Sequence, residues 1–148
     1  MVQLDVVRAC NNALVKKQSV TAVFVGGTSG IGEFALRALA STHGTSGQGL
    51  RVYLVGRNEA AAKTIIADCK KACPAGEFHF VPATDLASLR DVDRVCKEIV
   101  NAEEASAAGK LACIDLLVLT QAFFAFGGKL ERQGTYRHLH NDHFVDAT

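Results

Sequence analysis

Four short apolar runs, each parted from the next by a stretch of helical periodicity, constrain this chain more than any other feature. They are Val20 to Val25 (VTAVFV), Leu50 to Val55 (LRVYLV), Phe78 to Val81, and Ile114 to Leu119 (IDLLVL). All four read as strands; the β-branched-rich Val20 to Val25 has the pattern of a strand covered on both faces, and Ile114 to Leu119 reads as buried too. Between them, Ile31, Phe34, Ala35, Ala38 and Leu39 fall at helical spacing. So do Ala62, Ile65, Ile66, Cys69 and Cys73, and then Leu89, Val92, Val95, Cys96 and Ile99. Each set predicts a helix with those residues turned inward. Strands joined through helices of this length need crossover connections, hence a parallel sheet with helices on both faces. Right-handed crossovers with a reversal after the third strand give the spatial order 3-2-1-4. The expected class is α/β, the N-terminal half of a doubly wound parallel sheet.

The rest of the chain is organised around this unit. Leu4, Val7, Asn11, Leu14 and Val15 predict a short amphipathic leader helix over residues 2–17. Asn58 is placed to cap the second crossover helix, which Pro74 and Gly76 end. Ser88 followed by Asp91 has capping-box spacing for the third. Residues 1–18 form the leader, 19–126 the half-domain, and 127–148 an irregular tail with weak periodicity.

Composition narrows the partners. At 148 residues, 49% hydrophobic and 21% charged, this is an ordinary globular domain. A net charge of +1 gives no electrostatic reason to expect nucleic acid or an anionic membrane. The most apolar stretch, Leu111 to Phe126, is interrupted by Asp115 and Gln121 and is shorter than the ~20 residues that span a bilayer. A cytoplasmic protein is expected. Five cysteines without CxxC spacing argue against a disulfide framework or a structural zinc site.

The chemistry lies in Val25-Gly26-Gly27-Thr28-Ser29-Gly30-Ile31-Gly32, between the first strand and the first crossover helix. Gly26 lets the chain turn off the strand, Gly30 lets the backbone approach a pyrophosphate, and Gly32 lets the helix pack close to the sheet. Unpaired amides and the helix dipole favour an anion there, and Thr28 and Ser29 add hydroxyl donors. A tight structural turn is the plainer alternative. The flanking strand, helix and second strand favour a Rossmann-type dinucleotide site instead. Sites for NAD place a carboxylate at the tip of the second strand. Here Val55-Gly56-Arg57-Asn58 has none, and the Arg57 guanidinium could hold a 2′-phosphate. Glu59 lies past the tip, in the first turn of a helix. The expected cofactor is therefore NADP(H), with Arg57 as a solvated loop charge the competing view.

From Val2 to Leu130, with GGTSGIG the most specific motif, the sequence resembles the short-chain dehydrogenase/reductase family. More narrowly, it is similar to fungal reductases of secondary metabolism. The resemblance implies that Gly26, Thr28, Ser29, Gly30, Ile31 and Gly32 wrap the pyrophosphate and adjoining ribose, and that Arg57 and Asn58 meet the 2′-phosphate. It implies that Asp85 and Leu86 contact adenine through a carboxylate and a backbone amide. On its own, Asp85 reads as a helix-entry acid. Two departures stand out. Val25 replaces a threonine that braces the glycine loop, and Leu119-Thr120-Gln121-Ala122 replaces an NNAG-like segment near the nicotinamide ribose.

The family's serine, tyrosine and lysine belong to a later strand and helix, so the resemblance implies a C-terminally truncated chain with no catalytic residue. Tyr136 is followed four places on by His140, not lysine. His138, His140, Asp142 and His143 read as an exposed polar tail rather than a metal site. The fourth strand, apolar from Leu116 to Leu119, would be a sheet edge open to self-association. Three functions remain open. They are an NADP(H)-dependent oxidoreductase of the short-chain type, a catalytically silent nucleotide-binding fragment, and an interaction module using the open edge.

Overall fold

The computed structural model describes residues 3–106 and 113–121. Its elements run α1 (Leu4–Lys17), β1 (Val20–Val25), α2 (Gly30–His43), β2 (Leu50–Gly56), α3 (Glu59–Ala72), β3 (Glu77–Pro82), α4 (Leu89–Ser106) and β4 (Leu116–Leu119). All strand pairings are parallel, and the order is β3-β2-β1-β4. The expected topology is therefore found.

Alternation along the strands builds two cores. Val20, Ala22 and Phe24 of β1, with Leu50, Val52 and Leu54 of β2, point to one face. There they meet Leu36 and Ala40 of α2 and Ala62, Ile65 and Cys69 of α3. Val23, Tyr53, Val55 and Val81 point to the other face, against Val95 and Ile99 of α4. Successive side chains leave a strand on opposite sides, so β1, β2 and β3 serve both layers, whereas β4 adds only Val118, to the first. Arg37 on α2 bridges Glu33 at 2.9 Å and Asp68 of α3 at 3.0 Å, which ties the two helices of the first layer.

Several sequence expectations need correction. In α2 the stripe is Gly32, Leu36, Ala40 and His43, with Ala35 and Leu39 only partly covered, whereas Ile31 and Phe34 are 80% and 71% exposed. The face is set by the close approach of Gly32 to Gly27 and Thr120, which turns the first-turn apolar residues outward. In α4 the buried positions are Val95, Ile99 and Glu103, while Cys96 and Leu89 are exposed. In α1 only Val15 is buried, and Leu4, Val7 and Leu14 are exposed. β4 begins at Leu116 rather than Ile114, and Leu117 and Leu119 are 57% and 61% exposed, so it is not covered on both faces. Ser88 and Asp91 do not form a capping box: the Asp91 carboxylate accepts from the amides of Thr84 and Asp85 instead.

Two buried polar groups shape this frame. Glu103 accepts from the Tyr53 hydroxyl at 2.8 Å and from Arg51 Nη1 at 3.2 Å, while Arg51 Nε reaches Glu77 at 2.7 Å. Burial, with the Glu103 carboxylate beside it, pushes the Tyr53 phenol well up. His43 closes α2 with its Nε2 3.0 Å from the Gly49 carbonyl, and burial lowers its pKa against that bond. Cys69 and Cys73 fill space, and burial raises both thiols, which makes them poor nucleophiles. No helix among the described residues is long and apolar enough to cross a membrane.

Candidate nucleotide site

Parallel strands deliver their following loops to a single end of the sheet. In doubly wound sheets the crevice lies outside those carboxyl ends, where the strand order reverses. Here the reversal lies at β1, with β2 on one side and β4 on the other. The loops at this end begin after Val25, Gly56, Pro82 and Leu119. Every residue singled out for the site lies on one of them or on the first turn of the helix that follows.

The glycine loop is built from its backbone contacts. The Gly26 amide donates to the Val55 carbonyl at 3.0 Å, stitching the start of the loop to β2. That amide is therefore engaged within the frame itself. Ser29 is the N-cap residue of α2, but its side chain makes no cap hydrogen bond. The first-turn amides of Gly30, Ile31 and Gly32 thus lack an intrahelical acceptor, as the opening turn of any helix requires. Gly30 has φ +58°, and a Cβ placed on it would meet nothing within 4 Å. Open space over a left-handed glycine at a helix N-terminus is the arrangement that admits a diphosphate. Gly32 is the opposite case. Its missing Cβ would press on the Thr120 hydroxyl and lie 2.8 Å from Gly27 Cα, so glycine is needed there for packing.

Thr120 anchors the end of β1 from the β4 side. Its amide and its hydroxyl both donate to the Val25 carbonyl, at 2.9 and 3.2 Å, and the hydroxyl rests against Gly32. The loop is thus braced by a hydroxyl from the β4 side. Gln121 adjoins Gly26, while Ala122 lies outside the described residues. The Thr28 side chain packs on Gly56, whose lack of a Cβ lets the loop lie against the end of β2. Spacing alone gives Gly56 no role beyond preceding Arg57; its part comes from the Thr28 packing.

At the tip of β2, Arg57 is exposed and has no ion-pair partner among the described residues. Asn58 caps α3, its Oδ1 accepting from the Ala61 amide at 3.0 Å. With the oxygen fixed on the helix, its amino group remains to donate outward. Glu59 pairs with Lys63 at 2.8 Å, which holds its carboxyl below the usual range and offsets its charge. After β3, the Ala83 amide donates to Gly56, keeping the two strand tips together. Asp85 is exposed, with Oδ1 accepting from the Ala87 amide at 3.0 Å, and Leu86 packs partly into the second core.

The structure therefore brings Gly26, Gly32 and Thr120 into one packed junction and sets Thr28 against the β2 tip. It places Arg57, Asn58, Asp85 and Leu86 after the neighbouring strands β2 and β3. Tyr136, His138, His140, Asp142 and His143 lie outside the described residues.

Known proteins resemble this chain over most of its length. It is 44% identical over 130 residues, 87% of the chain, to a short-chain dehydrogenase/reductase of Stachybotrys chartarum. It is 34% identical over 131 residues, 88% of the chain, to an oxidoreductase of Emericella nidulans. An oxidoreductase of Emericella variicolor is 40% identical over 100 residues, 67% of the chain. The chain spans 37%, 35% and 28% of those three proteins, about a third of their length. A solved short-chain type dehydrogenase/reductase from Mycobacterium ulcerans superposes with a TM-score of 0.44 at 23% identity, covering 65% of this chain and 30% of that one. No family model matches.

Proposed function

The chain belongs, over the residues that align, to the short-chain dehydrogenase/reductase family, and from that premise we propose that it binds a nicotinamide dinucleotide, NADP(H) in preference to NAD(H). The observation that carries this reading is the open space above Gly30 at the uncapped start of α2. In it, the amides of Gly30, Ile31 and Gly32 hold the pyrophosphate, with the Ser29 hydroxyl beside them. Gly26, Thr28 and Thr120 shape the loop rather than grip the anion. Arg57 takes the 2′-phosphate as a two-pronged donor, the Asn58 amino group adds a third contact, and Asp85 with Leu86 meets adenine.

When bound, the nicotinamide ring supplies or accepts a hydride. We assign that transfer to no residue of this sequence. Its two tyrosines, Tyr53 and Tyr136, have Arg57 and His140 four places on, so neither has the lysine that would lower a phenol's pKa. Tyr53 is moreover buried, with its hydroxyl held by Glu103. Carbonyl or alcohol chemistry is proposed only for the longer family context, and a silent nucleotide-binding chain is the role proposed for these residues. The fungal origin of the three relatives supports a place in a fungal branch of the family, and we propose secondary metabolism as its setting.

NADPH fluorescence titration tests the reading. The expected result is NADPH binding well ahead of NADH. Removing a charge-assisted pair costs about 1.5–3 kcal/mol, so Arg57→Ala should weaken NADPH by roughly ten- to a hundredfold and leave NADH unchanged. Equal affinity for the two nucleotides would overturn the cofactor preference. NADPH consumption with a panel of ketones would overturn the silent role.

A further inference from the structure

The turn between β3 and α4 carries an ordering device that the proposed adenine contacts do not explain. Asp91, in the first turn of α4, points back along the chain. Its Oδ2 accepts from the amides of Thr84 at 2.7 Å and Asp85 at 2.8 Å. Its Oδ1 is held by Arg94, whose Nε and Nη2 both lie at 2.8 Å. Arg94 Nη2 also donates to the Pro82 carbonyl at 2.6 Å, and its Nη1 reaches Glu98 at 3.0 Å. The Asp91 side chain is only 13% exposed. Four consecutive residues from the end of β3 onward are thus tied to α4 or to β2, since the Ala83 amide is on Gly56.

The bonding leaves a specific remainder. The Thr84 and Asp85 amides are taken by Asp91, and the Ala87 amide is taken by Asp85 Oδ1. The Leu86 amide has no acceptor among the described residues, and Asp85 retains Oδ2. One donor and one acceptor therefore remain on consecutive residues, and Asp85 lines a depression with Thr84, Ser88 and Asp91. The Watson–Crick edge of adenine is the complement of that pair, with an acceptor at N1 and a donor at N6. Hypoxanthine reverses both, offering a donor at N1 and an acceptor at O6. The presentation of this pair depends on which amides the carboxylate of Asp91 has removed from competition.

We propose that Asp91 is a positioning residue for base selection: by holding the Thr84 and Asp85 amides, it fixes the turn so that Leu86 N–H and Asp85 Oδ2 read an adenine edge and reject a hypoxanthine edge. This rests on the nucleotide reading above. The charge-assisted bonds from the amides and from Arg94, which hold the Asp91 carboxyl below the usual range, agree with a carboxylate that stays ionised in this role.

The experiment titrates the full chain with NADPH and with its hypoxanthine analogue, deamino-NADPH, for wild type, Asp91→Ala and Asp91→Asn, with circular dichroism to confirm folding. A mismatched donor–acceptor pair should make wild type prefer NADPH by about tenfold or more. Asp91→Ala should bring the two ligands within about twofold of each other, mainly by weakening NADPH. Asp91→Asn keeps an amide-accepting oxygen and should retain most of the preference, which a purely structural role would not produce. If Asp91→Ala does not fold, Arg94→Gln, which frees Oδ1, should lower the same ratio. An unchanged ratio in the folded Asp91→Ala protein, or in Arg94→Gln if that is the variant that folds, overturns the proposal. So does a wild type that binds both ligands equally, and that result leaves the nucleotide reading standing. A wild type that binds neither removes both.

Discussion

Replacing Gly30 with alanine separates binding from folding more cleanly than any other change in the glycine loop. The added methyl group would meet no atom within 4 Å, so packing is not disturbed. The remaining cost is conformational, because an L-residue at φ +58° is disfavoured by roughly 1–2 kcal/mol. Lower entropy of the unfolded chain returns about 0.4–1 kcal/mol of that. The net loss, about 1 kcal/mol, corresponds to roughly 3–4 °C in Tm for a chain of this length. Binding should suffer far more, since the methyl group occupies the space proposed for the pyrophosphate. Losing one or two charge-assisted amide contacts costs roughly 2–4 kcal/mol, on the order of a hundredfold in Kd. Urea unfolding and NADPH titration on the same sample give both numbers. Gly32→Ala is the control: its methyl group would press on the backbone of Gly27 and Gly26, so it should lose stability first. A Gly30→Ala protein that melts near wild type and still binds NADPH at wild-type affinity would refute the placement of the anion.

His43 predicts an acid-sensitive fold. Its Nδ1 is buried without a partner among the described residues, and burial depresses its pKa below the ordinary value near 6.5. The unfolded chain therefore takes up the proton first, so stability is level above about pH 6.5 and falls as pH drops from there to the folded pKa, by up to about 1.4 kcal/mol per pH unit. Urea midpoints across that window should fall in wild type and stay flatter in His43→Gln; parallel slopes would count against it. Glu103→Ala strands Arg51 and the Tyr53 hydroxyl in a buried setting and should cost about 3–5 kcal/mol, with Glu103→Gln milder because an acceptor remains for Tyr53. A loss under about 1 kcal/mol for the alanine variant in urea unfolding would contradict that account. The exposed β4 residues predict self-association at high concentration, reduced by Leu117→Lys. Sedimentation showing a concentration-independent monomer for wild type would dispose of it.

The sheet was legible because its strands announce themselves locally. Val20 to Val25 is apolar on both faces, and the glycines that follow mark where the strand ends. Helix faces were harder to read. The α2 stripe runs through Gly32, which carries no hydrophobic signal, and it is set by contacts with Gly27 and Thr120, one of them 88 positions away. Periodicity alone therefore favoured Ile31 and Phe34, which the structure leaves outside. Glu103 shows the same limit. An acid in a helix reads as solvent-facing until Arg51 and Tyr53, some fifty residues earlier, are brought beneath it. At the site, the glycines and Arg57 were visible as residue types at meaningful spacing. That Gly26 has its amide on Val55, and that Asp91 braces the turn between β3 and α4, are facts of hydrogen-bond direction that a string of letters does not encode.

A chain of 15.7 kDa is small enough for amide-resolved NMR, and the anion-binding claim makes a residue-specific statement in such spectra. On adding NADPH, the largest amide shifts should fall on Gly30, Ile31 and Gly32, with Gly26 moving little because its N–H already donates to Val55. Saturating binding with those three resonances unmoved, or no response to NADPH in a folded sample, would contradict the account.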